Sequence, residues 1–226
     1  MKSTTRLFPL TGLILLLTAL CPLTLKSQTM KDINGRNYRI CQIGTQFWTA
    51  ENLAVSKFRN GDPIPQARTN AEWEKAGKEG KPAWCYYSND TLIGRKFGKL
   101  YNYYAVSDPR GLAPTGWHIP THPELSKMIY ALGGMDVAGI KMKSMADWKE
   151  QFRGTNKSKF TAIPGGARNA NGAFLNINNT AQWWSTSGDV QGGPQIWSVA
   201  LNSFSVQTGY YEMEKGCGLS VRCIKD

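Results

Sequence analysis

The side chains best suited to metal, redox or nucleophilic chemistry here are two histidines, His118 and His122, and the cysteines at 41, 85, 217 and 223. The two histidines are four apart, the interval at which imidazoles on one helix can grip zinc. Pro120 stands between them, and a helix starting at Thr121 puts them on different backbone geometries with no third ligand nearby. No metal or other cofactor is therefore expected, and His118 reads as a buried, hydrogen-bonded loop residue. Ser88-Asn89-Asp90-Thr91 is the nearest cluster of oxygen donors and reads as a turn. There is no GxSxG elbow and no serine, histidine and carboxylate set that a nucleophilic hydrolase needs.

The cysteines carry a geometric argument. Cys217, Leu219, Val221 and Cys223 alternate with Gly218, Ser220 and Arg222, the period of a half-buried strand. Six residues at roughly 3.3 Å each separate the two cysteines by about 20 Å, far beyond the reach of about 7 Å between the Cα atoms of a disulfide. In an oxidising compartment an even cysteine count implies two bridges. The expected pairs are Cys41–Cys217 and Cys85–Cys223, with the crossed pairing as the alternative, and their role is stability. A reduced, copper-binding Cys217 and Cys223 pair is the enzymatic alternative, and strand parity opposes the convergence it requires.

Aromatic side chains supply the remaining functional signal. Trp183-Trp184, Trp197 and Tyr210-Tyr211 fall on late strands, where adjacent residues point to opposite faces. Outward-facing Trp184, Trp197 and Tyr211, near Arg168 and Asn171, form a candidate ligand-binding set in which rings stack on sugar and polar groups bind hydroxyls. The alternative is that most of these rings pack the sheet.

The elements that must position these residues are legible in part. Tyr38–Ile43, the turn Gly44-Thr45 and Gln46–Thr49 form a hairpin. Thr69 with Glu72 is a capping box ahead of a short helix stopped by Gly77, Gly80 and Pro82, and Ala83–Ser88 is extended. Thr121 with Glu124 opens a second helix bearing Leu125, Met128, Ile129 and Leu132 at i, i+3, i+4 and i+7, ended by Gly133-Gly134. Short strands follow at Phe160–Ile163, Ala173–Asn176, Gln182–Thr186, Gln195–Leu201, Ser205–Tyr210 and Leu219–Ile224, with turns that include Gly192-Gly193-Pro194. Two helices with a later, loop-rich, mainly antiparallel sheet make the class α+β.

Residues 1–27 read as a signal peptide: Lys2 and Arg6, an apolar run broken by Pro9, Gly12 and Pro22, and Ser27 at the cleavage position. The alternative is lipidation of Cys21. Residues 28–32 form a short N-terminal segment and 33–226 one domain, with no transmembrane segment in the mature chain. Of 27 Lys and Arg in the chain, Lys2, Arg6 and Lys26 leave with the leader, so 24 basic residues face 16 acidic ones and the mature charge is +8. The excess is clearest between Lys141 and Lys159. An exported protein meets no genome, so no nucleic-acid partner is expected. Such a stretch is either a solvated face or a contact for acidic polysaccharide or an anionic surface.

Six segments in order, IGTQFWTAENL (43–53), GKLYNYYAV (98–106), GLAPTGWHIPT (111–121), FTAIPGGAR (160–168), WWSTS (183–187) and GLSVRCIKD (218–226), resemble the Fibrobacter succinogenes major paralogous domain family. The resemblance spans 33–226. It implies an exported bacterial protein with a C-type-lectin-like fold related to formylglycine-generating and sulfatase-modifying types, its terminal strands paired, and it brings no catalytic mechanism. The cysteine that such proteins often carry about ten residues after the WCYY-like segment is absent here, where Gly94-Arg95-Lys96 stands. The expected function is a secreted or cell-surface, non-catalytic binding module that recognises glycan or another surface ligand through its late-loop aromatics. The alternatives are a structural or adhesive protein that binds an envelope protein and, third, a copper-dependent oxidase.

Overall fold

The computed structural model describes Met1, residues 29–188 and residues 195–226. The leader reading with Cys21 and the Gly192-Gly193-Pro194 turn lie outside the described residues. In chain order the elements are β1 (Thr29–Lys31), β2 (Asn37–Ile43), β3 (Gln46–Thr49), α1 (Asn70–Lys78), β4 (Trp84–Cys85), α2 (Thr91–Phe97), β5 (Leu100–Tyr101), α3 (Tyr103–Val106) and β6 (Trp117–His118). The chain continues through α4 (His122–Ala131), α5 (Met135–Met142), β7 (Gly165–Arg168), β8 (Phe174–Ile177), β9 (Thr180–Gly188), β10 (Gln195–Asn202), β11 (Thr208–Glu214) and β12 (Ile224–Lys225). One antiparallel sheet has the order β1-β2-β3-β12-β6 and a second β11-β10-β9, with two-stranded ladders β4-β5 and β7-β8. The protein is thus a mixed helix and sheet fold with antiparallel sheets and short helices.

The hairpin and both capping boxes form where the sequence puts them. Gly44-Thr45 joins β2 to β3. The side chain of Thr69 caps the N–H of Glu72 at the start of α1, and Thr121 does the same for Glu124 at α4. Gly133 and Gly134 both take positive φ, 99° and 90°, which lets the chain reverse from α4 straight into α5. The two expected helices are α1 and α4; α2 and α3 are additional, and so is α5. Its buried residues are Ala138, Gly139 and Met142, too small and too few to make an apolar stripe. The strand expected at Phe160–Ile163 is instead an irregular segment with one parallel bridge between Ala162 and Lys143. Residues 29–31, placed outside the domain by sequence, pair with β2 and bury Met30.

The segment before β12 departs most from expectation. It is not one half-buried strand, because residues 216–224 are buried throughout. It runs extended through the middle of the molecule and bridges a new strand at each step: Gly218 with Arg168, Leu219 with Tyr101, Ser220 with Trp183, then Ile224 with Trp48 and His118. The alternation is nevertheless real. Cys217, Leu219, Val221 and Cys223 join one hydrophobic cluster, while Arg222 points the other way. There its guanidinium donates to Asn52 Oδ1 at 2.7 Å, to the carbonyls of Thr49 and Phe160 at 2.8 Å each and to that of Thr161 at 3.2 Å. Asn52 Oδ1 also accepts from Trp183 Nε1 at 2.9 Å, so a buried arginine without a carboxylate partner is held by carbonyls and an amide.

The sheet β9–β11 explains the tryptophan pair. Trp183 packs with Val199 and Leu201 beneath α4, and Trp184 packs with Ile196, Leu219 and Tyr103 on the other side. Both are buried because both faces of β9 are covered, so neither member of the pair faces solvent.

The disulfide expectation is corrected. Cys41, Cys85, Cys217 and Cys223 are all buried free thiols. Cys41 lies in the cluster beneath α4, Cys85 in a separate one with Trp73 and Leu100, and Cys217 and Cys223 in the cluster across the sheet. Either expected pairing would have to reach from one packed cluster into another. Burial pushes the thiols of Cys41 and Cys85 up to about 11 and that of Cys223 up to about 12, which keeps them protonated and unreactive.

Candidate functional site

Arg168 closes β7 and is fully buried, so it is not a ligand contact. Its guanidinium lies between the rings of Trp73 and Phe174, 4.8 and 4.5 Å from their centroids. Nε donates to the carbonyl of Gly172 at 2.9 Å, and the two Nη atoms donate to the carbonyls of Ala67 and Thr69 at 3.0 Å each and to Asn70 Oδ1 at 3.2 Å. These bonds tie the β7–β8 turn to the entry of α1. The turn comes so close that a Cβ on Gly172 would sit 2.6 Å from Asn70 Cα.

That pinned turn, Asn169-Ala170-Asn171, forms one wall of a two-lobed groove. The first lobe, about 420 Å³, is lined by Asn169, Ala170, Asn171, Gln195, Glu212, Met213, Glu214 and Cys217. The second, about 570 Å³, shares Ala170, Asn171, Gln195 and Glu214 and adds Glu74, Gly77, Lys78, Tyr104, Lys215 and Gly216. Each lobe falls in the size range of small-molecule sites. The opposite wall is the paired end of β10 and β11, where Gln195 faces Glu214 and Trp197 faces Glu212. The floor is fixed by Trp73 Nε1 donating to the carbonyl of Gly216 at 2.9 Å and the N–H of Tyr103 donating to that of Lys215 at 2.9 Å.

The lining combines amides (Asn169, Asn171, Gln195), carboxylates (Glu74, Glu212, Glu214) and one ring, Tyr104. Amides offer both donors and acceptors, and carboxylates accept two hydrogen bonds or more, the chemistry that vicinal hydroxyls need. Three carboxylates against Lys78 and Lys215 leave the lining slightly negative, which disfavours an acidic ligand.

The five residues singled out by sequence do not form one site. Asn171 lines both lobes. Trp197 is half-buried in an aromatic cluster with His122 and Tyr210, at centroid distances of 5.2 and 6.5 Å, and Tyr210 shares a hydrogen bond of 2.9 Å with Ser126. It borders the groove only through its strand partner Glu212. Tyr211 is exposed, pairs with Ser198 and lines neither lobe. Trp184 and Arg168 are core. Sequence reasoning missed Asn169, Gln195, Glu212, Glu214 and Tyr104. The alternation of Glu212 and Glu214 along a strand places both on one face and was the available signal.

His118 is hydrogen-bonded as expected, but it is half-buried and ends strand β6 rather than lying buried in a loop. Its Nδ1 lies 2.6 Å from Asp226 Oδ1 and its Nε2 2.8 Å from Glu124 Oε1, joining the final strand to the first turn of α4. Burial disfavours the imidazolium, but the hydrogen bonds to Asp226 and Glu124 outweigh it and raise the pKa. Burial likewise opposes ionisation of Glu124, and the Thr121 and His118 hydrogen bonds overcome it and lower its pKa.

The family model described as the Fibrobacter succinogenes major domain matches residues 41–225. No curated protein and no solved structure matches the chain.

Proposed function

The chain belongs to the Fibrobacter succinogenes major domain family, and from that premise we propose that it is an exported, non-catalytic binding module that takes a neutral or amino-bearing glycan into the groove between the β7–β8 turn and the β10–β11 hairpin. The observation that carries this reading is the groove lining, in which amide and carboxylate groups from three separate segments converge beside Tyr104. The walls are pre-formed, since Arg168 holds one and the hairpin ladder the other, so a ligand need not pay to order them. A C-type-lectin-like arrangement belongs to the same proposal, supported by the N-terminal hairpin pairing with the last strand. The leader at residues 1–27 supports export to the cell surface or medium.

Titration calorimetry of the mature protein with neutral, amino-bearing and acidic oligosaccharides tests the proposal. Saturable binding of the first two, lost in Asn171→Ala and Glu214→Ala variants that melt like the parent, is the expected result. Silence across all three classes, with capture of a specific envelope protein that the same variants abolish, would instead make the groove a protein-docking site.

A further inference from the structure

Away from the groove, exposed apolar side chains gather where β10 turns into β11. Phe204 is 65 % exposed and Met145 67 %, and Val206 extends the patch. These segments form one rigid face. Lys143 Nζ donates to the carbonyls of Ser205 at 2.6 Å, Asn202 at 2.7 Å and Phe152 at 3.3 Å, binding the 143–152 segment to the β10–β11 connection. Gln207 Nε2 donates to Asp136 Oδ1 at 2.8 Å, and Gly139 of α5 meets the connection so closely that an added Cβ would lie 2.9 Å from the carbonyl oxygen of Gln207.

Exposed cations border this patch. Lys141 caps the carbonyl of Leu132 at 2.6 Å and Lys143 is buried, which leaves Lys149, Arg153, Lys157 and Lys159 exposed. Lys149 Nζ stands 4.2 Å from the centre of the Phe204 ring. Of the acidic groups nearby, Asp147 is occupied by Lys96 at 2.8 Å and Asp136 by Gln207, so Glu150 is the remaining exposed carboxylate of the 143–159 segment. Single exposed apolar residues are ordinary in a folded protein. A fixed group of them beside cations that pair with no carboxylate among the described residues has the composition of an interfacial anchor, in which rings and thioethers enter the headgroup layer while lysines meet anionic lipid. A soluble acidic polymer would be held by the cations alone and would leave Met145 and Val206 without a partner.

We infer that the face built from Phe204, Val206 and Met145 with Lys149, Arg153 and Lys157 docks on the surface of an anionic phospholipid bilayer. It goes beyond the binding-module reading and does not depend on the groove. Among the described residues no helix is long and apolar enough to cross a membrane.

Co-sedimentation of the mature chain with vesicles of phosphatidylcholine alone, and of phosphatidylcholine with one-third phosphatidylglycerol, tests the inference. Binding to the anionic vesicles only, weakening as salt rises, is expected. Lys149→Gln and Lys157→Gln should each weaken it about fivefold, and Phe204→Ser by about fivefold at any salt concentration. All three positions are exposed, and the variants share one N-terminus, so differences between them report on this face. No partition into anionic vesicles at low salt would overturn the inference. So would dextran sulfate binding as tightly as the vesicles with no effect of Phe204→Ser, which would assign the face to acidic polymers.

Discussion

Replacing Arg168 by alanine separates a structural arginine from a ligand-binding one. The guanidinium supplies four hydrogen bonds between 2.9 and 3.2 Å and a stack between two rings. Two of its acceptors, the carbonyls of Gly172 and Ala67, form fully buried bonds. Stranding a buried acceptor costs about 1–3 kcal/mol, so these two alone predict a loss of roughly 2–6 kcal/mol, to which the vacated space between Trp73 and Phe174 adds. A central value of about 4 kcal/mol lowers the melting midpoint of a domain of this size by roughly 8–16 °C. Arg168→Lys keeps the charge but not the planar fork, and should fall between the two. Urea unfolding followed by tryptophan fluorescence measures the change, because Trp73 lies against the guanidinium. A ligand-contact role predicts the opposite pattern: unchanged stability with lost binding. An alanine variant within about 0.5 kcal/mol of the parent, the ordinary range for a surface substitution, would refute the reasoning.

The thiols provide a second prediction. In native protein lacking residues 1–27, Cys41, Cys85 and Cys223 should not react at pH 8, and on unfolding without reductant four thiols should titrate, whereas two disulfides would yield none. A third concerns pH. The raised pKa of His118 gives stability that is complete below its ordinary 6.5 and lost as pH rises through the folded value, while the lowered pKa of Glu124 gives stability present above 4.5 and lost as pH falls through its own folded value. Thermal melts should therefore show a maximum between these values, and His118→Gln should remove the alkaline decline. Gly139→Ala supplies a fourth. Alanine gains about 1 kcal/mol of helix propensity, but its Cβ would strike the backbone carbonyls of Val206 and Gln207, so a net loss of about 1–3 kcal/mol is expected in urea titration.

Local signals proved reliable where the physics is local. The Thr69 and Thr121 capping boxes and the β2–β3 turn are decided within a few residues, and the structure has them in place. The parity of Cys217 through Cys223 was also legible, yet its meaning was not. Alternation predicts two faces but not what covers them, and a segment that bridges five different strands is buried on both. The same gap misplaced Trp184, Arg168 and the disulfides, since sheet coverage and cluster membership depend on contacts more than 100 residues apart, such as Arg168 with Ala67. Three of the segments carrying the family resemblance supply Asn52, Arg222 and Trp183 to one buried network, so these residues mark the scaffold. The groove's residues lie largely outside them. Of the groove's residues only Asn171 was named in advance, as a polar side chain near the late-strand aromatics.

Amide chemical-shift mapping of labelled mature protein with a neutral or amino-bearing oligosaccharide tests the central claim most directly. The account predicts shifts concentrated at Asn169–Asn171, Gln195, Glu212–Glu214 and Tyr104, with the His122, Trp197 and Tyr210 cluster moving less. Shifts centred on Tyr211 or on the Phe204 face, with the groove silent, would contradict it.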